Sequence, residues 1–302
     1  MNKILTNLIS HYSNLYIDNE STVIKVSGED AKKFLQGQLT NDVESLKDDI
    51  INASYCTHQG KVIVNMQIFS DDGDIFLLLS KSLSDYFLEK ISKYILMSKV
   101  EFVECKPSKT LWAIGDKAKN LINEFQIKDH RSVKKINEFE YIINMSSEFI
   151  NQCKYINLGS DNCELSYEIM SENQTCLIDL FDMRTRLKKD QIEKYIPQVL
   201  NSDKLQTVSY KKGCYTGQEV IARTHYLGNV KKHIYLIIVD CMIIDKKNVV
   251  NSDGESVGEQ LGESFKFDGK LLSHCVIRDS VDFNDLYIED KKLEILTMED
   301  TV

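Results

Sequence analysis

The residues best suited to chemistry fall in one run, Lys211-Lys212-Gly213-Cys214-Tyr215-Thr216-Gly217-Gln218-Glu219-Val220-Ile221-Ala222-Arg223. Thr216-x-x-Glu219 reads as a capping box, and Val220, Ile221, Thr224 and Tyr226 continue it as a short helix. Gly213 and Gly217 let the backbone bend sharply or approach a ligand closely. The free N–H groups and positive end of that helix would lie beside Cys214, with Lys211 and Lys212 adjacent. A thiol in that setting is expected to ionise easily and to act as a thiolate. From Lys211 to Lys232 there are five cations (Lys211, Lys212, Arg223, Lys231, Lys232) against one acid, Glu219, a local +4 in a chain of net charge −9. An anionic ligand is the natural guest of such a segment. Capping boxes end many helices without function, and a lone cysteine is more often inert. Thiol, cations and paired glycines together favour a functional reading.

The remainder of the 302 residues must position that run. Hydrophobic residues make up 42% and charged residues 27%, a globular composition that excludes a disordered chain. The longest apolar runs, Ile75–Leu79 and Ile234–Ile244, fall short of a membrane span, and Asp240 breaks the second. The balance of 37 Lys+Arg against 46 Asp+Glu argues against non-specific or direct nucleic-acid binding, though not against a local basic site. Thr6, Asn7 and Ser10 interrupt the first apolar stretch, and the first arginine is Arg131, so neither a secretory signal nor a mitochondrial presequence is expected. The eight cysteines form no C-x-x-C pair, which suits thiols in a reducing cytoplasm and gives no metal site. Cys56, Cys105, Cys163 and Cys176 read as core fillers, and Cys153, Cys241 and Cys275 have no partner spacing. His58 and His225 read as surface residues.

The fold class expected is α+β with a C-terminal β-barrel. Residues 1–108 read as an α+β run: strands at Ser21–Ser27, Ile50–Cys56, Val62–Phe69, Asp74–Leu79 and Val100–Cys105, and helices from Ala31 and over Ser84–Met97. This first unit would be completed by residues 176–232. A second α+β unit, 109–175, opens with a strand at Leu111–Gly115 and a helix over Lys117–Phe125. It continues in strands near Tyr141–Met145, Tyr155–Leu158 and Leu165–Met170, and helix Thr175–Lys188 leads out. Residues 233–302 alternate as short strands with turns at Asp253-Gly254 and Asp268-Gly269, a small, partly closed barrel.

The run Lys211–Glu219 resembles the signature of the YgfZ-type folate-binding proteins, relatives of the glycine-cleavage T-protein (aminomethyltransferase). Phe34-Leu35-Gln36-Gly37-Gln38-Leu39-Thr40-Asn41-Asp42-Val43 is similar to the first helix and turn of that superfamily, Gln59-Gly60-Lys61 to its hairpin, and Ile196-Pro197-Gln198 to the segment before the signature. The resemblance covers roughly residues 20–300. It implies two α+β units and a small barrel around a central channel that takes tetrahydrofolate or a one-carbon derivative. It also implies a part in maintaining iron–sulfur enzymes, or working with their assembly factors, including in tRNA modification. It leaves room for an iron–sulfur cluster, for which no cysteine spacing argues.

On that resemblance Cys214 is the candidate reactive thiol. The candidate folate residues are Lys211, Gly213, Tyr215, Gly217, Gln218, Glu219, Arg223, Gln36, Gln38, Thr40, Asn41, Asp42 and Gln59. Glu219 could accept two pterin N–H groups, and Lys211, Lys212, Arg223 or Lys231 could meet the glutamate tail. Tyr215 and Tyr226 could form an aromatic wall, and the cationic run is expected to open into the channel. Two departures stand out. Aminomethyltransferases read G-G-I-x-D-D after the hairpin glutamine, whereas this chain reads Gly60-Lys61-Val62-Ile63-Val64-Asn65 and lacks both acids. Relatives often carry I-E-x-G-x-P upstream, whereas this chain has Leu180-Phe181-Asp182-Met183-Arg184-Thr185. The sole tryptophan is Trp112. The reading is a folate-binding accessory protein. The alternatives are a tetrahydrofolate-dependent one-carbon transferase, disfavoured by Val64 and Asn65, and an RNA- or protein-binding module.

Overall fold

Apolar alternation and tight turns build the first sheet. The computed structural model describes residues 11, 13–106, 109–127, 130–146, 151–159, 168–169, 177, 179–180, 183–240 and 248–296. Strand β1 (Leu15–Asp18) leads directly to β2 (Ser21–Ser27), and β3 (Ile51–Cys56), β4 (Val62–Asp71), β5 (Asp74–Ser80) and β6 (Glu101–Glu104) follow. Five of these form an antiparallel sheet of order β3-β4-β5-β2-β6. Asp72 and Gly73, at φ 49° and 87°, make the left-handed turn that joins β4 to β5.

Period-two alternation sends successive side chains of this sheet to opposite faces. Ile24, Val26, Leu77 and Leu79 pack with Phe34 and Leu35 of α1 (Ala31–Gln38) and with Leu83, Phe87 and Ile91 of α2 (Lys81–Ser92). Val23, Phe69, Phe76 and Leu78 face the other way, onto Trp112, Ile114, Ile143 and Ile156 of a second sheet.

That second sheet contains β7 (Lys109–Ile114), β8 (Val133–Lys135), β9 (Glu140–Asn144), β10 (Gln152–Asn157) and β11 (Glu168–Ile169), with β1 between β11 and β7. The β1–β11 pair is parallel, and the other described pairs are antiparallel. Helix α3 (Asp116–Glu124) covers the far face through Ala118 and Leu121, which pack with Leu15, Leu111 and Tyr155. The layers therefore run helices, sheet, sheet, helix.

Strands β12 (Lys232–Val239), β13 (Asn248–Val250), β14 (Ser256–Phe267), β15 (Lys270–Arg278), β16 (Tyr287–Ile288) and β17 (Lys291–Leu296) close into a six-stranded barrel. Closure removes both sheet edges. Ile237, Val249, Cys275, Ile277 and Leu293 share one apolar cluster, while Leu236, Ile238, Phe265 and Leu272 join the core of the first unit. Asp268 and Gly269, at φ 49° and 74°, form the expected hairpin turn.

The expected α+β architecture with a small barrel is present. Helix α2 stops at Ser92 rather than Met97, because Leu96 takes φ 39° and Leu96 and Met97 are exposed with nothing to bury against. Residues 184–188 form neither helix nor strand, where a helix was expected. Much of the helix expected at Thr175–Lys188, including Phe181 and Asp182, lies outside the described residues, as do Cys163, Cys176, Cys241 and most of the strand expected at Leu165–Met170. Among the described residues no helix is long and apolar enough to cross a membrane.

Candidate functional site

The Cys214 run lies against the end of α1. Lys212 turns inward, and its Nζ donates to the carbonyls of Gln36 (2.7 Å), Leu39 (2.7 Å) and Asn41 (2.8 Å). These include carbonyls that the C-terminus of α1 leaves without helical partners. Burial pulls the Lys212 ammonium down to about 8. The polar stretch after α1 makes further links to the same region. Thr40 donates to the Thr207 carbonyl (2.6 Å) and accepts from the Ser54 N–H (2.8 Å). Asn41 donates to the carbonyls of Asn52 and Gln206, and Gln36 joins Asp42 to the Val43 N–H.

Helix α4 (Gln218–Leu227) follows Gly217, which caps it at φ 83° without any side-chain hydrogen bond. The expected capping box does not form, because the Thr216 hydroxyl turns to Gln38 Oε1 (3.4 Å). A Cβ on Gly217 would come within 2.5 Å of the Thr57 carbonyl and 3.0 Å of Gly60 Cα. The Gln59-Gly60-Lys61 turn and the signature thus meet backbone to backbone. Of α4, Ile221 alone is buried. Lys211, Gly213, Cys214, Glu219, Arg223 and Gln59 are exposed, Gln38 and Gln218 are half-buried, and Tyr215 is buried with an unpaired hydroxyl. His225 stacks on Tyr210 with ring centroids 3.6 Å apart.

A cavity of about 360 Å³ lies elsewhere, between the first sheet, residues 179–188 and the barrel, lined by Glu20, Ser80, Thr185, Arg186, Ser264 and His274. A narrower pocket of about 50 Å³ shares Ser80, Thr185 and Arg186 with it and runs between the sheets to Asn65, Gln67, Trp112 and Lys154. No residue of the Cys214 run lines either space. The cationic run expected to open into the channel sits apart from it. The bulge of β14 at Gly262 (φ 66°) borders the larger cavity, and a Cβ there would touch Thr185 Cγ2 at 3.2 Å.

Asp18, at the end of β1, ties this junction together. Arg186 donates to its two oxygens at 3.0 and 2.9 Å, Trp112 Nε1 at 3.2 Å and Ser21 Oγ at 2.6 Å. Burial opposes the Asp18 charge, but the charge and hydrogen bonds of Arg186, the Ser21 hydroxyl and the Lys154 charge outweigh it. The carboxyl is held well below the usual range. Arg186 Nε also meets Asp179 at 2.7 Å. The buried Lys154 ammonium lies 4.1 Å from the centre of the Trp112 ring and donates to Gln67 Oε1, and the Arg184 guanidinium lies 5.8 Å from the same ring.

His274 Nδ1 pairs with Thr185 Oγ1 at 2.7 Å. Burial pushes the imidazole down to about 4, against a smaller upward pull from the Leu180 backbone, so it is neutral at pH 7. Its buried Nε2 makes no hydrogen bond of good geometry. Val64 and Asn65, at the positions of the missing acids, line the narrow pocket, and Ser54 Oγ donates to Asn65 Oδ1 at 2.7 Å. This junction can offer cations beside an indole face and a neutral imidazole with a vacant hydrogen-bonding nitrogen. Among the described residues no cluster of three His, Cys, Asp or Glu side chains could hold a metal.

Sequence reasoning did not single out Asp18, Lys154, Arg186 or His274. The available signal was a charged or titratable residue inside an apolar strand: Lys154 between Cys153 and Tyr155, and His274 between Ser273 and Cys275.

No family model matches the chain. It is 30% identical over 262 residues to the tRNA-modifying protein YgfZ of Aliivibrio fischeri strain MJ11, covering 84% of this chain and 78% of that protein. It is 28% identical over 270 residues to the protein of the same name from Hamiltonella defensa, covering 86% and 79%. The glycine cleavage system aminomethyltransferase T from Bartonella henselae superposes with TM-score 0.76 over 98% of this chain and 89% of that one, at 10% identity. That likeness establishes the fold, with its two sheets and barrel, and the sequence relatives narrow it further: the chain belongs to the YgfZ family.

Proposed function

We propose that this chain is a folate-binding accessory protein of tRNA modification that sustains iron–sulfur enzymes. In this reading tetrahydrofolate or a one-carbon derivative binds in the three-way junction, and Cys214 is presented outward to a partner protein. The observation that carries it is the pair of adjoining spaces: the larger holds a buried neutral His274 whose Nε2 lacks a partner, and the narrower holds Lys154 set against Trp112. A volume of about 360 Å³ falls within the range of small-molecule sites. The names of the relatives support the link to tRNA modification, and the T-protein resemblance supports the ligand class.

The residues fit a reduced folate. His274 Nε2 would take one polar contact of the bicyclic ring, and Lys154 or Arg184 would face its acidic tail or its π-system. A bound folate would supply a carrier for a one-carbon unit. Arg186 and Asp18 hold the walls in register and keep their charges for each other. Asn65 cannot accept a proton as a carboxylate would, which favours an accessory role over aminomethyl transfer. Cys214 lines neither part of the junction, so thiol chemistry and folate binding would occupy separate places.

Calorimetric titration with tetrahydrofolate and its 5,10-methylene and 5-formyl forms tests this. Wild type and Glu219→Ala should bind alike, while Lys154→Met and Arg184→Ala should each weaken binding about tenfold or more, about 1.4 kcal/mol. Absence of binding for every form at about millimolar concentration, the upper limit of useful affinity, overturns the folate reading. Loss in Glu219→Ala with retention in Lys154→Met would move the ligand to the Cys214 run.

A further inference from the structure

A third cavity, of about 560 Å³, opens on the side of the molecule where α4 hands the chain to the barrel. Five cations line it, Lys61, Lys194, Lys231, Lys232 and Arg278, and no carboxylate does. In a chain of net charge −9 that concentration is the reverse of the average surface. Gathering like charges costs free energy that a bound anion would offset.

Of the nearby acids, one neutralises a lining cation and another holds a lining tyrosine. Glu255 takes Arg278 Nη1 at 2.6 Å, Glu259 accepts from the Tyr195 hydroxyl, and Asp279 holds His233 and Tyr235. Lys61, Lys194 and Lys231 have no ion-pair partner among the described residues, and Lys194 and Lys231 are exposed. Two of the five cations between Lys211 and Lys232, Lys231 and Lys232, line this concave surface.

The rest of the lining narrows the class of anion. Tyr195, Ile196, Val199 and Val230 give the groove an apolar floor, and Lys232 Nζ stands 5.2 Å from the centre of the Tyr195 ring. Thr224, Gly228 and Asn229 complete the lining where α4 ends, while Tyr226 packs edge-on against Tyr210 and His225, outside the groove. Cations over an apolar floor match a flat heterocycle that carries phosphate, since the floor can take the heterocycle while the lysines take the phosphate.

We propose that this groove binds a nucleoside phosphate unit, free or within an RNA strand. It shares no lining residue with the junction cavity, so the proposal stands whether or not folate binds there. The overall −9 disfavours non-specific nucleic-acid binding by the whole surface, but a local groove of this kind escapes that argument.

The test uses the full chain, a fluorescein-labelled single-stranded RNA of about 12 nucleotides, within the span covered by small nucleic-acid-binding folds, and AMP as competitor. Lys194→Glu/Lys231→Glu reverses two exposed groove charges. Lys291→Glu/Lys292→Glu makes the same charge change on exposed β17. RNA anisotropy should saturate, with a log–log salt slope of about −2 for three neutralised phosphates. The groove variant should bind at least about 30-fold more weakly with a shallower slope, and the β17 variant should change less than about threefold. Competition by AMP would identify a free nucleotide as an occupant, and RNA binding without AMP competition would identify the strand. Failure of both RNA and AMP to bind, or equal weakening in the two charge-reversed variants, overturns the proposal.

Discussion

Asp18→Asn removes a buried charge from the point where the two sheets meet residues 184–188. The carboxylate accepts from both terminal nitrogens of Arg186, from Trp112 and from Ser21, and it also receives the Glu20 N–H at 3.0 Å. An amide keeps one oxygen and turns an NH₂ group toward a guanidinium that needs acceptors. Removing one member of a buried ion pair costs about 3–5 kcal/mol. Arg186 keeps Asp179 at 2.7 Å, which places this loss near the lower end, about 3 kcal/mol. At roughly 2 °C per kcal/mol for a chain of this size, the melting temperature should fall by about 6 °C.

Urea unfolding followed by circular dichroism measures the loss. Adding Arg186→Met removes the stranded guanidinium, so the double variant should lose less than the sum of the single variants. The pH dependence has a definite sign. The folded Asp18 carboxyl is held below its unfolded value, so its contribution is complete above the ordinary carboxylate range and fades as pH falls through that range. The gap between wild type and Asp18→Asn should therefore be flat from about pH 5 to 8 and narrow below about pH 4. A loss below about 1 kcal/mol, or a gap that widens in acid, would refute the assignment of Asp18 as the tie of the junction.

His274, held neutral to about pH 4 by burial, binds its proton in the unfolded chain first. Stability should therefore fall by about 2 kcal/mol between pH 6.5 and 5, and His274→Gln should flatten that slope in melts across this range. Lys212→Met leaves three carbonyls without their donor and should cost about 2–3 kcal/mol in urea unfolding, whereas exposed Lys211→Ala should stay within about 0.5 kcal/mol. Cys214 is exposed, so Cys214→Ser should melt like wild type, yet it should fail to restore tRNA modification in a strain lacking the chain. Full restoration by that variant would remove the thiol from the account.

The strands were legible because their alternation is strict. Val23 and Ile24, one residue apart, face different neighbours, as a period of two requires. The Asp268-Gly269 turn announced its hairpin by composition alone. The meeting of Gln59-Gly60-Lys61 with the Cys214 run was not legible, because a backbone approach between Gly60 and Gly217 leaves no trace in periodicity. The placement of the cationic run away from the junction cavities was not legible. Lysines in sequence look alike, and only the fold turns Lys212 inward to the end of α1 while leaving Lys211 in solvent. The capping box likewise gave way because the left-handed Gly217 already starts α4 and the Thr216 hydroxyl found Gln38. Lys154 and His274 escaped for a related reason: a buried polar side chain takes its meaning from partners distant in sequence, Gln67 and Trp112 in one case and Thr185 in the other.

The placement of the ligand at the junction has an internal reporter, since the single tryptophan of the chain, Trp112, lines the narrow pocket beneath Lys154 and Arg184. Titration of Trp112 fluorescence with 5-formyltetrahydrofolate, corrected for absorption by the ligand, reads occupancy directly. Saturable quenching in wild type and Glu219→Ala that is lost in Lys154→Met is the predicted result. Calorimetrically saturable folate binding that leaves Trp112 fluorescence unchanged would contradict the account.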